Sequence, residues 1–166
     1  MKMSLRQLTL NAMIAAIYVV VTLLLPSYGP LQLRLTEMFA HLPVYNKKYS
    51  VGLVLGVLIA NIRSEFGVYD IIFGTLHTAI SLWIVFMIIQ EDDSPVKKMI
   101  INTLVFTVMS FILALMVGVL SNQMAIFWTL YASFGASIAI VMFATIPIVL
   151  FLDKQAHLVQ TMRRSQ

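Results

Sequence analysis

The stretch Met38-Phe39-Ala40-His41-Leu42-Pro43-Val44-Tyr45-Asn46-Lys47-Lys48-Tyr49-Ser50-Val51-Gly52, running on through apolar sequence to Ile62, decides the fold of this chain. It is long enough for one membrane-spanning helix of about 20 residues. Lys47 and Lys48 would then lie near its middle, where paired ammonium groups are costly. Splitting the stretch at the lysines predicts a short helix over 35–46 and another over 49–62.

The surrounding sequence puts this choice in a membrane. Of 166 residues, 60% are hydrophobic and 11% charged, and the mean hydropathy is +0.93. A soluble domain has no interior large enough to hide that much apolar surface. Further apolar runs predict spans over 8–25, 67–90, 98–120 and 124–152, giving an all-α integral membrane protein organised as one domain over 1–166. The basic start, Met1-Lys2-Met3-Ser4-Leu5-Arg6, has the charge of a signal peptide. The run Leu8 to Leu25 is longer than the usual apolar core of one and has no small-residue cleavage site, so it reads as a retained first helix.

Basic residues select the number of crossings, because they concentrate on cytoplasmic loops. Six crossings with both termini in the cytoplasm place Lys2, Arg6, Lys47, Lys48, Lys97, Lys98, Lys154, Arg163 and Arg164 inside, leaving only Arg34 and Arg63 of the 11 outside. Five crossings would move Lys97, Lys98 and the C-terminal arginines to the outer side. Six is the expectation, with the second helix short. Its eleven or so residues cover about 16 Å of a hydrocarbon core about 30 Å thick. The segment before it, Leu31-Gln32-Leu33-Arg34-Leu35-Thr36-Glu37, therefore has to dip into the protein, and irregular backbone at such depth is tolerated where it lines a cavity. Arg34 and Glu37 are expected at the mouth of a pocket opening outward. The alternative is that they snorkel to the surface.

Asn61, Arg63 and Glu65 fall at the next outer turn. Asp70 follows one turn inside an apolar helix, and Asp70, Gly74, His77 and Ser81 recur at steps of four, three and four, on one helix face. Arg63 and Glu65 read as solvated loop charges, and Asp70 as functional. His77 and Ser81 have the spacing of a base and nucleophile, which would suit an intramembrane hydrolase, yet no third group or oxyanion motif accompanies them. An interhelical hydrogen bond is the simpler reading. With no cysteine, disulfides and thiolate metal sites are excluded, and His41 and His157 join no carboxylate at ligand spacing. No phosphate-binding Gly-x-x-x-x-Gly-Lys-Ser/Thr loop occurs, so the chain is not expected to bind a cofactor or hydrolyse ATP itself. Ala12-x-x-x-Ala16 and Gly52-x-x-x-Gly56 permit close helix approach. The glycine pair suits internal packing. The alanine pair, near the cytoplasmic end, suits a partner.

These landmarks in order resemble the QueT family. The resemblance rests on Ala15-Ala16-Ile17-Tyr18-Val19-Val20-Val21-Thr22-Leu23, Gly29-Pro30-Leu31-Gln32-Leu33-Arg34-Leu35-Thr36-Glu37, Leu42-Pro43-Val44-Tyr45-Asn46-Lys47, Gly52-Leu53-Val54-Leu55-Gly56 with Ala60-Asn61, and Asp70-Ile71-Ile72-Phe73-Gly74-Thr75. It covers roughly the first half of the chain. The resemblance implies the S-component fold of an energy-coupling factor (ECF) transporter in a bacterial cell membrane, with a membrane coupling subunit and two ATPase subunits as partners that use ATP and magnesium. It implies docking of the coupling subunit on Ala12 and Ala16, and a queuosine precursor of the 7-deazaguanine type as substrate. Tyr28, Arg34, Glu37, Asn61, Asp70, Phe73, Gly74 and Thr75 are the expected substrate-binding residues. Glu37 would accept from the two-donor edge of the base, with Asp70 as its alternative or as partner of an aminomethyl ammonium. Arg34 or Asn61 would donate to the carbonyl, unless Arg34 only pairs with Glu37 or Asp70. Tyr28, Phe39, Phe73, Trp128 or Tyr131 would stack on the ring. A stand-alone proton-coupled transporter of a nucleobase-like or vitamin-like solute, working through Asp70 and Glu37, is the alternative.

Overall fold

The computed structural model describes residues 3–25, 35–122 and 124–156. Its ordered elements are helical. In chain order they are α1 (Leu5–Leu24), a 3-10 helix (Leu35–Val44), a 3-10 turn (Lys47–Tyr49), α2 (Ser50–Ala60), a second 3-10 turn (Asn61–Arg63), α3 (Val68–Ile88), α4 (Pro95–Met109), α5 (Phe111–Leu120), a third turn (Met124–Ile126) and α6 (Phe127–Ala156). Lys2, His157, Arg163 and Arg164 lie outside the described residues.

The expected six crossings are corrected to four. Among the described residues, the segments long and apolar enough to span are Leu5–Leu24, Val68–Ile88, Pro95–Leu120 and Met124–Lys154. The element expected over 35–46 is a ten-residue 3-10 helix, about 20 Å long at 2.0 Å per residue. The one expected over 49–62 is α2, with 11 residues, about 16 Å long. Neither matches a core about 30 Å thick. The protein is an all-α, multi-pass membrane protein whose four long helices enclose a half-length hairpin. That hairpin turns at Lys47, whose ammonium sits 5.6 Å from the centre of the Phe86 ring near the end of α3.

Local sequence explains where the helices begin and break. Ser4 accepts from the Gln7 N–H at 3.3 Å while Gln7 Oε1 accepts from the Ser4 N–H at 2.9 Å, a capping box that starts α1 ahead of its apolar run. Ser94 caps α4, with Pro95 in its first turn. In the loop before it, a hydrogen bond from Lys97 holds the Asp93 carboxyl below its usual range. Ser110 separates α4 from α5, its hydroxyl donating to the Thr107 carbonyl at 2.7 Å.

The hairpin is held by polar contacts from its neighbours. Pro43 has no N–H, so the Ala40 carbonyl three residues earlier loses its 3-10 partner. Asn102 on α4 supplies one, donating to it at 2.9 Å. His41, fully buried, donates from Nε2 to the Met142 carbonyl on α6 at 3.0 Å, leaving Nδ1 to face the Asn102 amide at 3.4 Å.

Against α1, the hairpin packs through glycine. The Gly52 N–H donates to Asn11 Oδ1 at 2.6 Å, and Asn11 Nδ2 donates to the Gln7 carbonyl at 2.8 Å. A Cβ on Gly52 would lie 2.5 Å from the Asn11 carbonyl oxygen, and one on Gly56 would lie 3.0 Å from Tyr18 Cβ. The Gly52-x-x-x-Gly56 pair is therefore an internal helix contact. Gly52→Ala forces two backbones apart and should destabilise the protein by about 1–3 kcal/mol. Gly135→Ala, whose added carbon would meet nothing closer than 3.4 Å, is the matched control. Thermal unfolding in detergent checks this: a clear fall in Tm for Gly52→Ala and little change for Gly135→Ala.

Candidate functional site

A cavity of about 330 Å³ opens where several helix ends converge, within the range of small-molecule sites. The last turns of α1 contribute Tyr18 and Thr22, and the start of the 3-10 helix contributes Thr36 and Glu37. The end of α2 and the loop to α3 add Asn61, Arg63, Ser64, Glu65 and Phe66; α3 itself adds Asp70 and Gly74. The far wall comes from Met116 and Val117 on α5 and from Phe134, Ser137 and Ile138 on α6.

The α2–α3 turn sets the polar wall. Gly67 has φ +57°, a conformation that side chains with a Cβ disfavour. The chain reverses there, and Asp70 Oδ2 accepts from the Phe66 N–H at 3.0 Å. Ser64 donates to the Asn61 carbonyl at 2.6 Å. Asn61 Nδ2 donates to the Asp70 carbonyl at 3.0 Å. Gly74 lies directly beneath that carboxamide, so close that a Cβ there would collide with Asn61 Nδ2.

Of the expected substrate-binding residues, Glu37, Asn61, Asp70 and Gly74 come together on this cavity, whereas Phe73 and Thr75 do not line it. Tyr28 and Arg34 lie outside the described residues. Arg63 and Glu65, read as plain loop charges, stand at the cavity and are exposed. The stacking candidates are displaced too. Phe39 meets Tyr18 edge-on with ring centres 6.1 Å apart. Trp128 and Tyr131 cluster with Phe127 at the start of α6, and the Tyr131 hydroxyl donates to the Val108 carbonyl at 3.2 Å. Among the described residues, the aromatic rings that line the cavity are Tyr18, Phe66 and Phe134. Tyr18 and Thr22 left a signal in the sequence, two polar-tipped residues four apart in an apolar run; Phe134 left none.

Asp70, Gly74, His77 and Ser81 are all buried on α3, but only the first two reach the cavity. His77 donates from Nε2 to the Phe106 carbonyl on α4 at 3.2 Å and meets the Phe106 ring edge-on. The buried Ser81 Oγ has no hydrogen-bond partner among the described residues, so the base–nucleophile pairing is not formed. Among those residues no cluster of His, Asp and Glu is arranged to hold a metal ion. Ala12 and Ala16 are exposed on α1, away from the Asn11, Ala15 and Tyr18 side that is buried.

A family model described as QueT transporter matches residues 8–154. The queuosine precursor transporter QueT of Lactococcus lactis subsp. cremoris (strain MG1363) is 40% identical over 75 residues, which cover 43% of this chain and 44% of that protein. The aligned stretch thus spans under half the length of that relative. No solved structure matches.

The close approach of Gly74 and Asn61 gives a measurable coupling. Gly74→Ala should displace the carboxamide and cost about 1–3 kcal/mol of stability. In a variant already lacking that carboxamide, Asn61→Ala, the same substitution should cost much less. A double-mutant cycle by denaturant unfolding reads the difference; additive losses would mean that the two residues do not constrain each other.

Proposed function

This chain belongs to the QueT transporter family, and on that premise we propose that it is the substrate-binding S component of an ECF importer for a queuosine precursor. The observation that carries the reading is the cavity of about 330 Å³ walled by Glu37, Asn61 and Asp70. It lies at the end of the bundle opposite Lys47, Lys97, Lys98 and Lys154. Because basic residues collect on the cytoplasmic side, the cavity opens to the outside of a bacterial cell membrane. A 7-deazaguanine offers an N1–H and an exocyclic amine side by side, a pair that one carboxylate accepts in bidentate fashion. Glu37 takes that role. Asn61 lines the same cavity, and Tyr18, Phe66 or Phe134 supplies an aromatic face.

Energy comes from elsewhere, since the sequence has no phosphate-binding loop. The partners in this reading are a membrane coupling subunit and two ATPases that hydrolyse ATP with magnesium. Docking uses the exposed Ala12 and Ala16, where small side chains allow a partner helix to approach closely. Capture occurs outside without ATP, and delivery follows when the protein reorients in the membrane with the coupling subunit.

Two measurements test the two halves of this reading. Calorimetry on the purified protein should show a 7-deazaguanine precursor binding without ATP, with Glu37→Gln weakening it by at least about 1.4 kcal/mol, tenfold in affinity; unchanged affinity removes Glu37 from recognition. Replacing Ala12 and Ala16 together by Trp should leave that binding intact and abolish copurification with the coupling subunit. A complex that survives the double substitution would refute the docking surface.

A further inference from the structure

Hydroxyls inside these helices mostly settle on their own backbone. Thr9, Thr22, Thr78, Thr103 and Thr145 each donate to the carbonyl four residues earlier, at 3.0, 2.8, 3.1, 2.9 and 2.8 Å. Ser81 on α3 does not. Its Oγ is enclosed and has no hydrogen-bond partner among the described residues, although the His77 carbonyl lies four residues back.

A second enclosed oxygen without a partner among those residues, Asn102 Oδ1, is on α4. The orientation of that carboxamide follows from what its other branch meets. Nδ2 donates to the Ala40 carbonyl at 2.9 Å and faces His41 Nδ1 at 3.4 Å. Because His41 Nε2 donates to the Met142 carbonyl, Nδ1 is an acceptor, and turning the amide over would set oxygen against two acceptors. Oδ1 therefore keeps lone pairs that no donor meets, and Ser81 keeps a proton that no acceptor meets.

The two residues lie level across one interface. α3 and α4 are antiparallel neighbours joined by the loop 89–94, and His77 Nε2 meeting the Phe106 carbonyl at 3.2 Å sets their register. One turn further along α3 is Ser81; one turn back along α4 is Asn102. Val85 and Met99, about a turn beyond, share one buried cluster, as that register requires. Ser81 and Asn102 are both 0% exposed. Bulk water does not reach them, and an unmet hydroxyl or amide oxygen at such depth is costly.

We propose that Ser81 Oγ and Asn102 Oδ1 hold a buried water molecule between α3 and α4, two turns along α3 from Gly74 and separate from anything the cavity binds. The water accepts the Ser81 proton and donates one of its own to Asn102 Oδ1, which gives it the two polar partners that a buried water needs at least. Both groups are neutral and neither is a carboxylate, which suits water rather than a hard metal cation. The bridge joins α3, which carries Asp70 and Gly74 to the cavity, to Asn102, which holds the hairpin bearing Glu37.

Two measurements on the purified protein test the site. In denaturant titrations Ser81→Ala should raise the unfolding equilibrium constant by about three- to tenfold, the loss of one partnered hydroxyl. Removing a hydroxyl that had no partner would relieve a cost instead, so unchanged or increased stability overturns the proposal. A crystal structure of the wild type that resolves ordered waters should show one within hydrogen-bonding distance of both oxygens. Ser81 Oγ bonded directly to Asn102 Oδ1, or turned back onto the His77 carbonyl, overturns the proposal even if the variant fails to fold.

Discussion

A short helix with a proline inside it cannot satisfy its own backbone, and in a low-dielectric interior water does not do so for it. The 3-10 helix Leu35–Val44 is such an element. Its survival depends on Asn102 donating to the Ala40 carbonyl and on His41 reaching the Met142 carbonyl. Those contacts tie the hairpin to α4 and α6, while Gly52 and Asn11 tie its other arm to α1. The arrangement fixes where the hairpin begins, and Thr36 and Glu37 at that beginning form one wall of the cavity. The charged group at the mouth is thus placed by neutral hydrogen bonds well away from it.

The same constraint shows what could be read from the sequence. Lys47 and Lys48 in an apolar run marked a turn, and a turn is there. Whether the arms on either side cross the membrane was not legible. A pair of crossings added or removed leaves every later loop on the same side, so between six and four only Lys47 and Lys48 bear on the count, whereas five crossings move Lys97, Lys98 and the C-terminal arginines as well. Length decides it, and the 3-10 winding that sets the length came from Pro43 and its neighbours rather than from hydropathy.

At the site, Glu37, Asn61 and Asp70 were legible because polar groups in apolar surroundings are few and costly. Phe73 and Thr75 were drawn in by proximity in sequence to Gly74, yet successive helical residues turn by about 100°, which carries both off the face that Asp70 and Gly74 share. Phe134 and Ser137 were hidden for the opposite reason. They sit inside the long helix α6, where they hardly change the hydropathy, and only the packing of the helices reveals that they face the same space as Tyr18.

The face Asp70-Gly74-His77-Ser81 separates two uses of one helix. Its N-terminal half meets the cavity, where Gly74 has no side chain because Asn61 occupies the space one would fill. Its C-terminal half meets α4, where His77 binds a backbone carbonyl and stacks edge-on against Phe106. Periodicity placed all four residues on one face, since it reports a shared direction and says nothing of what lies along it. The division falls between Gly74 and His77 because the cavity ends there and packed protein begins. Asp70 and Gly74, on the N-terminal side of that line, face open space; His77 and Ser81, beyond it, are enclosed by packed protein.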